Sequence, residues 1–445
     1  MKCTIVGAAR SGLSSAILAR KLGYNVFLTE LNTQEKFKDT IEKLKFYDIP
    51  YEFGQHSKRA IENKDLIILS PGVPPDAPLV VEAENRKIKI ISELEFSRLA
   101  CPDNPLIAIT GTNGKTTTTA LTEFILTQAG KKAIACGNIG TPLSAIVENL
   151  SKDTIIVAEV SSFQLDRIDT FRPDIAVILN ITPDHLYYHS TMEKYISAKF
   201  KISLNQNEKN LLILNADDKL LLKGMPKIRA SIAYISLSPV ARGMFATEGK
   251  IIYKDEKQHI EEEIMLTKEI RIPGVHNIYN SLASALAARA MEVHNENIRD
   301  SLMRFQGVEH RLESVRILDG VEYINDSKAT NVNATWYALN SFDKPIIWIA
   351  GGRGNNDYSE LDELVAEKVI AIIAIGEESD IIFNHFASKV RCYKEPTLEN
   401  AVLKARNIAQ KGQIVLFTPA CKSFDMFLNF EHRGEVFKSS VMSLV

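Results

Sequence analysis

The segment Ile109-Thr110-Gly111-Thr112-Asn113-Gly114-Lys115-Thr116-Thr117, entered from the apolar run Leu106-Ile107-Ala108, constrains this chain more than any other. An apolar strand, a glycine-bearing loop and a helix opening near Lys115 form a junction that belongs to sheets covered by helices. Gly111 and Gly114 let the loop turn its N–H groups inward around Thr112 and Asn113. The helix N-terminus at Thr116 and Thr117 adds partial positive charge, Lys115 can reach β- and γ-phosphates, and the Thr116 hydroxyl can ligate Mg2+. Ile109 stands where the strict phosphate-loop pattern needs glycine. A glycine turn that merely caps a helix is the bland alternative. The order strand, loop, Lys-Thr, helix favours a nucleotide.

The same rhythm continues on both sides. Short β-branched runs at residues 3–7, 25–30, 65–70 and 87–92, with a helical pattern at 11–22, make a Rossmann-like unit. A second series of buried strands is expected at 106–110, 154–160, 173–180 and 210–215. Alternating pieces between 231 and 272, such as Gly249-Lys250-Ile251-Ile252-Tyr253, suggest hairpins on one flank of that sheet, followed by an Ala/Leu-rich helix over 277–290. Strands at 321–325, 345–350, 369–375 and 413–418 then make a third unit. With roughly 150 residues per domain, the 445 residues divide into 1–92, 93–304 and 305–445. The expected class is α/β: a Rossmann-like domain, a central, mostly parallel P-loop domain with a small β flank, and a second Rossmann-like domain.

Hydrophobic residues make up 45% of the chain, enough for a core in each domain. The 53 basic and 55 acidic residues leave a net charge of -2, so no global field holds a nucleic acid or an anionic membrane. Cys3, Cys101, Cys136, Cys392 and Cys421 are scattered, odd in number and never paired as C-x-x-C, which favours a reducing cytoplasm. No apolar segment is long enough to cross a bilayer, and residues 3–7 read as a strand rather than part of a signal peptide.

Two strand ends carry candidate metal ligands. Ile155-Ile156-Val157-Ala158 ends in Glu159, followed by Val160-Ser161-Ser162-Phe163-Gln164-Leu165, and a second strand ends in Asn180-Ile181-Thr182-Pro183-Asp184-His185. In open α/β sheets the carboxyl ends of strands are where ligands bind. Glu159 and His185 beside Thr116 suit Mg2+, although His185 taken alone reads as an ordinary surface or core histidine. Lys199, in Tyr195-Ile196-Ser197-Ala198-Lys199, has no chemistry from spacing alone and would ordinarily be solvated. Gly7-Ala8-Ala9-Arg10-Ser11-Gly12 is a poor dinucleotide fingerprint, because Ala9 replaces the middle glycine.

Taken together, the phosphate loop, Glu159 before Ser161-Ser162-Phe163-Gln164-Leu165, Asp184-His185, Tyr195-x-x-Ala198-Lys199, Pro273-Gly274-x-His276-Asn277-x-x-Asn280 and His310-Arg311 resemble the Mur ligases. These are ATP-dependent, amide-forming enzymes of peptidoglycan synthesis. Ser70-Pro71-Gly72, Gly137-Asn138-Ile139-Gly140, Asn325-Asp326-Ser327-Lys328-Ala329-Thr330-Asn331 and Ala420-Cys421-x-Ser423-Phe424-Asp425-x-Phe427-x-Asn429-Phe430-Glu431-x-Arg433-Gly434 are similar to the members that add D-glutamate to UDP-N-acetylmuramoyl-L-alanine. The likeness runs through all three domains, over residues 7–434.

The resemblance implies a division of labour. The first domain would bind the UDP-linked muramyl precursor, with Arg10 and Ser11 at the pyrophosphate, Glu30 near the uridine, and Ser70, Pro71 and Gly72 closing the pocket; Asn138 and Ser161 join the substrate site. For ATP it implies Asn277 and Asn280 on the adenine side, and Arg311 and Asp326 at phosphates and ribose, brought over by a closing third domain. Mg2+ would be held by Thr116, Glu159, His185 and a carbamylated Lys199. Lys115, Asn138, Glu159, His185 and Lys199 then form the catalytic set, activating the substrate carboxylate as an acyl phosphate. Lys328, Thr330, Ser423 and the amides near Phe424 would anchor D-glutamate, with Phe430 as an apolar wall. Asn277 and Ser423 could equally be helix caps, and Phe430 core. A monomer in the cytoplasm, without nucleic acid or membrane insertion, is expected.

Two departures stand out. After Asp184-His185 the family usually continues x-Asp-Arg, whereas here Leu186-Tyr187-Tyr188-His189 follows, and His189 is a candidate for compensating. The loop Gly351-Gly352-Arg353-Gly354-Asn355-Asn356-Asp357-Tyr358 is a residue shorter than many, leaving Arg353 or the uncharged Asn355 at the position that normally offers a cation to the acceptor's side-chain carboxylate. Rival readings are a Mur-type ligase of other amino-acid specificity, a non-catalytic nucleotide-binding regulator, and a nicotinamide dehydrogenase. The last is disfavoured by Ala9 and by the phosphate loop in the second domain.

Overall fold

The structure, a computed structural model, describes residues 1–138 and 140–445, and residue 187 by its backbone alone. Among the described residues the strands gather into three sheets of five, nine and six. The first contains β1 (Lys2–Val6), β2 (Asn25–Glu30), β3 (Tyr51–Phe53), β4 (Leu66–Leu69) and β5 (Lys89–Ser92) in the order β3-β2-β1-β4-β5, all parallel. The turn after β1 therefore lies where the strand order reverses, the crevice in which such sheets bind ligands.

The second sheet runs β14-β13-β12-β11-β10-β9-β6-β8-β7. Its strands are β6 (Leu106–Thr110), β7 (Ala133–Gly137), β8 (Ile155–Glu159), β9 (Ile175–Ile178), β10 (Leu211–Asn215), β11 (Ser231–Ser236), β12 (Arg242–Thr247), β13 (Lys250–Asp255) and β14 (Ile260–Leu266). Every residue of β6 and β8 is buried, as expected of parallel strands covered on both faces. The pairings Ile109↔Glu159 and Thr110↔Ile178 put the phosphate-loop segment between the ends of β8 and β9. The alternating stretch forms the antiparallel flank β12-β13-β14, while β11, read from sequence as part of that flank, pairs parallel with β10 and extends the main sheet.

The third sheet runs β15-β16-β20-β17-β18-β19, from β15 (Glu313–Leu318), β16 (Val321–Asn325), β17 (Ile346–Gly351), β18 (Val369–Ile375), β19 (Arg391–Lys394) and β20 (Ile414–Phe417). Only β15 runs antiparallel to its neighbour. By compactness the chain forms two units, one comprising Met1–Glu269 and Tyr279–Met303, the other Ile270–Ile278 and Arg304–Val445. The first holds two sheets and the second holds the third sheet. Both contain buried clusters of large apolar side chains, each side chain contributing on the order of 1.5–3 kcal/mol when fully buried. No helix among the described residues is long and apolar enough to cross a membrane.

Candidate active site

The helix Lys115–Gln128 begins after Gly114, which sits at φ 83° in the left-handed region and offers no capping side chain. The first-turn N–H groups thus lack an intrahelical partner, and the helix end can receive an anion. A Cβ at Gly114 would collide with Asn280 Oδ1, so backbone conformation and space both demand glycine. The loop is braced by Asn180: Asn113 N donates to Asn180 Oδ1 at 2.8 Å, and Asn180 Nδ2 donates to Asn113 O at 3.0 Å. Thr112 is tied in through its hydroxyl, which lies 3.1 Å from the Tyr195 hydroxyl and accepts from Thr182 N at 3.0 Å. Thr117 is buried, and Thr116 Oγ1 is buried without a partner among the described residues. A buried hydroxyl at a helix start with nothing to bond fits a metal-bound ligand shell.

Two lysines converge on one carbonyl. Lys115 Nζ lies 3.0 Å from Gly111 O and 2.7 Å from Thr112 O, while Lys199 Nζ donates to the same Gly111 O at 2.9 Å. Lys199 comes from the helix Met192–Phe200 and is 2% exposed, its Nζ 4.6 Å from the Tyr195 ring centre. The solvated reading of Lys199 is therefore overturned: the register that puts Tyr195 in the core carries Lys199 in with it. Burial, reinforced by the Lys115 charge, holds its pKa well below the ordinary lysine value, so it is a candidate neutral amine.

Glu159 ends β8, is 1% exposed and accepts from Asn138 Nδ2 at 3.4 Å. Ile139, in the same Gly137–Gly140 motif, lies outside the described residues. His185 follows β9 at φ 52°, its ring 4.8 Å from that of Phe163 and its Nε2 3.5 Å from Asp184 Oδ2. Ser161 caps the helix Ser162–Asp166 in a capping box with Gln164, which occupies its hydroxyl. His189, the candidate for taking over the bracing of the altered loop, lies 2.9 Å from Ser162 Oγ and stacks on Phe163. It braces the loop rather than standing open to a metal. Asn280 is 3% exposed and accepts from Thr118 Oγ1 at 3.2 Å, against the phosphate-loop helix. Asn180, read from sequence only as a strand end and given no role, braces a loop 67 residues away.

At the first sheet, Glu30 accepts from Ala8 N at 2.9 Å and from Asn32 N and Nδ2 at 2.9 and 2.7 Å, shaping the turn after β1. Arg10 Nη1 reaches Gly140 O at 3.3 Å. Ser70 Oγ is buried without a partner, pressed close under Gly7 and Gly12. Ser11, Pro71 and Gly72 line the same strand-end edge with more exposure.

The second unit has its own edge. Asp326 follows β16, accepts from Thr418 Oγ1 at 2.9 Å and Leu312 N at 3.3 Å, and is pushed up to about 7 by burial, with Arg311 drawing it back. Arg311 Nε is buried without a partner among the described residues, a donor that suits a phosphate. Asn277 Nδ2 donates to Pro273 O at 2.6 Å, close to its helix start. Lys328 Nζ lies 4.4 Å from the Phe430 ring centre, and Thr330 is half-buried nearby in sequence. Ser423 is buried and Phe424 is 61% exposed. Arg433, to which sequence reading assigned no role, is fully buried; it donates to Ser327 Oγ, Ser327 O and Cys421 O and locks the 326–328 and 421 segments together. Arg353 and Lys422 form a backbone bridge, and the Arg353 guanidinium pairs with exposed Glu377 at 2.6 Å.

Three family models match the chain: the Mur ligase MurD-like N-terminal domain over residues 1–92, the Mur ligase middle domain over 109–288, and the Mur ligase glutamate ligase domain over 310–421. The chain is 42% identical over 457 residues to a UDP-N-acetylmuramoylalanine–D-glutamate ligase of Salinibacter ruber, covering 100% of this chain and 98% of that one. It is 39% identical over 451 residues to the protein of that name in Clostridioides difficile, with 100% and 98% covered. Among solved structures, the UDP-N-acetylmuramate-alanine ligase of Thermotoga maritima superimposes with a TM-score of 0.61 at 20% identity, covering 100% and 99% of the two chains. A Thermotoga maritima MurF ligase in complex with ADP gives 0.58 at 16% identity, covering 94% and 95%. At such identities the two structural matches concern the fold.

Proposed function

The chain belongs to the Mur ligase family, and from that premise we propose that it joins D-glutamate to UDP-N-acetylmuramoyl-L-alanine at the expense of ATP, in peptidoglycan precursor synthesis. It is an ATP-dependent amide-forming ligase, releasing ADP and phosphate. Residues 1–92 take the UDP-linked precursor, 93–304 take ATP, and 305–445 take the amino acid. The chain works as a monomer in the cytoplasm, where its nucleotide-linked substrate is made.

The observation that carries this reading is the convergence of Lys115, Thr116, Glu159 and Lys199 on one phosphate-loop edge. A carboxylate cannot acylate an amine directly, because oxide is too poor a leaving group. A carboxylate oxygen of the precursor attacks the γ-phosphorus, the bond to the ADP oxygen breaks, and an acyl phosphate forms. Lys115 swings from the loop carbonyls to the transferring phosphoryl group, where fixed positive charge and positioning do most of the work. The D-glutamate nitrogen then attacks the acyl carbon, phosphate leaves, and the nitrogen sheds a proton. Mg2+, when bound, would neutralise phosphate charge; Thr116, Glu159, His185 and Lys199 as a carbamate are the residues that would hold it. As a neutral amine, Lys199 can take up CO2 and become an anionic ligand. Asn138 orients Glu159, and Arg311 and Asp326 receive phosphates and ribose, with Asn277 and Asn280 near the base. Arg10, Ser11, Glu30, Ser70, Pro71, Gly72 and Ser161 shape the precursor site, and Lys328, Thr330, Ser423, Phe424 and Phe430 the acceptor site.

The test is ATP-dependent phosphate release with UDP-N-acetylmuramoyl-L-alanine present, comparing D-glutamate with other D- and L-amino acids. Release with D-glutamate, and a product heavier by one glutamate residue, is expected. Turnover with a different amine would reassign the specificity, and silence with every acceptor would refute the ligase reading.

A further inference from the structure

Glu378 stands at the N-cap of the helix Ser379–Phe386 yet makes no capping bond with its side chain. The carboxylate turns away from its own helix and is 1% exposed. Among the described residues no lysine or arginine is paired with it. Its oxygens are met by neutral donors: Asn356 N at 3.1 Å, Asn356 Nδ2 at 3.1 Å, the Tyr358 hydroxyl, and Cys421 Sγ at 3.5 Å. Its backbone N–H adds a bond to Gly352 O at 3.0 Å. One acid therefore gathers the loop 352–358 from the end of β17 and the segment 420–421 from the end of β20.

These two segments are also joined beside the acceptor site. Arg353 N donates to Lys422 O at 2.8 Å and Lys422 N to Arg353 O at 3.0 Å, immediately before buried Ser423, while Asn356 Nδ2 donates to Ala420 O at 3.3 Å. The packing leaves no slack: a Cβ at Gly354 would stand 2.5 Å from Asn356 Nδ2 and 2.8 Å from Glu378 Oε1. A buried carboxyl group is costly unless the donors that satisfy it are fixed. This cluster is therefore a rigid clamp whose geometry passes to the loop. We propose that Glu378 is the positioning residue of the amino-acid acceptor site, holding loop 352–358 against segment 420–423 so that the groups around Ser423 meet the incoming amino acid in one arrangement. The inference rests on the assignment of the acceptor site to this edge.

Glu378→Gln preserves shape but faces a second N–H group toward the Asn356 and Tyr358 donors, and Tyr358→Phe removes one hydroxyl while keeping the ring. In the full chain, Glu378→Gln is expected to raise the KM for D-glutamate at least tenfold, with kcat and the KM values for ATP and the UDP-linked precursor within threefold of wild type. Tyr358→Phe should shift the same constant alone, by a smaller factor. It remains a readout if Glu378→Gln does not fold. Adding Asn356→Asp to Glu378→Gln restores one carboxylate facing one amide and should recover part of the loss. An unchanged acceptor KM, or equal changes in kcat and all three KM values, overturns the proposal. If the wild-type protein uses another amino acid, the specificity reading fails by itself, and the same variants are then scored on that acceptor's KM.

Discussion

Asp326 offers the sharpest test of how this site is built. Its carboxyl group is buried beneath the end of β16, and burial pushes its pKa from an ordinary value near 3.8 up to about 7. Between about pH 4 and pH 7 the folded chain therefore holds a proton that the unfolded chain has released. The stability this proton contributes is fully present below about pH 4 and is lost as pH rises to about 7. The interval from 3.8 to about 7 corresponds to about 4 kcal/mol at ~1.4 kcal/mol per pH unit. Asp326→Asn cannot titrate and still satisfies its neighbours: the amide oxygen can accept from Leu312 N, and the NH2 group can donate to Thr418 Oγ1, which also faces Thr335 Oγ1 at 3.1 Å. Half-buried Arg311 loses its counter-charge, so the gain at pH 8 is expected to be about 2 kcal/mol, with variant and wild type nearly equal at pH 4. Both tryptophans, Trp336 and Trp348, lie in the same compact unit as Asp326, so urea unfolding followed by tryptophan fluorescence reads this unit selectively. A variant-minus-wild-type difference that stays constant from pH 4 to pH 8, or that favours the wild type more as pH rises, would refute the reasoning.

Four further substitutions separate chemistry from scaffolding. Thr116→Val removes a hydroxyl with no protein partner; thermal stability should hold while the Mg2+ concentration for half-maximal turnover rises about tenfold, a loss of ~1.4 kcal/mol in binding. Gly114→Ala places a side chain at φ 83° against Asn280 and should lower kcat/KM for ATP by about a hundredfold, or ~3 kcal/mol, in phosphate-release assays. Lys199→Met replaces a buried amine with an apolar chain of similar length, so the melting temperature should hold or rise while turnover falls by at least about a hundredfold. Glu95 accepts from Asp169 N, Thr170 N, Thr170 Oγ1 and Phe171 N, and Glu95→Ala should destabilise the first unit by about 3 kcal/mol in urea unfolding followed by circular dichroism.

Legibility followed burial and sequence distance. The strands β6, β8 and β17 could be read directly because each is buried along its whole length, which forces a continuous apolar run. The edge strands β3 and β19 could not: Tyr51–Phe53 and Arg391–Lys394 are short and half-buried at best, so no two-residue alternation develops. β7 was missed because its first three residues are only partly buried. The phosphate loop was legible for a different reason, since its backbone chemistry is local and demands glycine and lysine at fixed offsets. Local spacing says nothing about groups whose meaning comes from distant partners. Asn180 acts on a loop far upstream, Arg433 reaches a residue 106 positions away in one case, and Lys199, a side chain that would ordinarily be solvated, owes its lowered pKa to the packing of its helix.

That contrast explains why the acceptor side is harder to read than the nucleotide side. Phosphate recognition uses backbone N–H groups that every residue but proline carries, so it needs only a turn and a helix start in sequence. Recognition of an amino acid needs side chains from several strand ends held in register, and here the register rests on Glu378 and Arg433, two buried polar side chains that bind neighbouring loops. The 351–358 loop is braced on several sides. Its backbone pairs with Lys422, its Asn356 and Tyr358 close on Glu378, and the exposed Arg353–Glu377 pair lies at its rim. An exposed pair of this kind contributes little to stability, so the Arg353 guanidinium can exchange Glu377 for another carboxylate at small cost. We therefore propose Arg353 as the cation that meets a dicarboxylic acceptor, with the clamp beneath it setting where that cation stands.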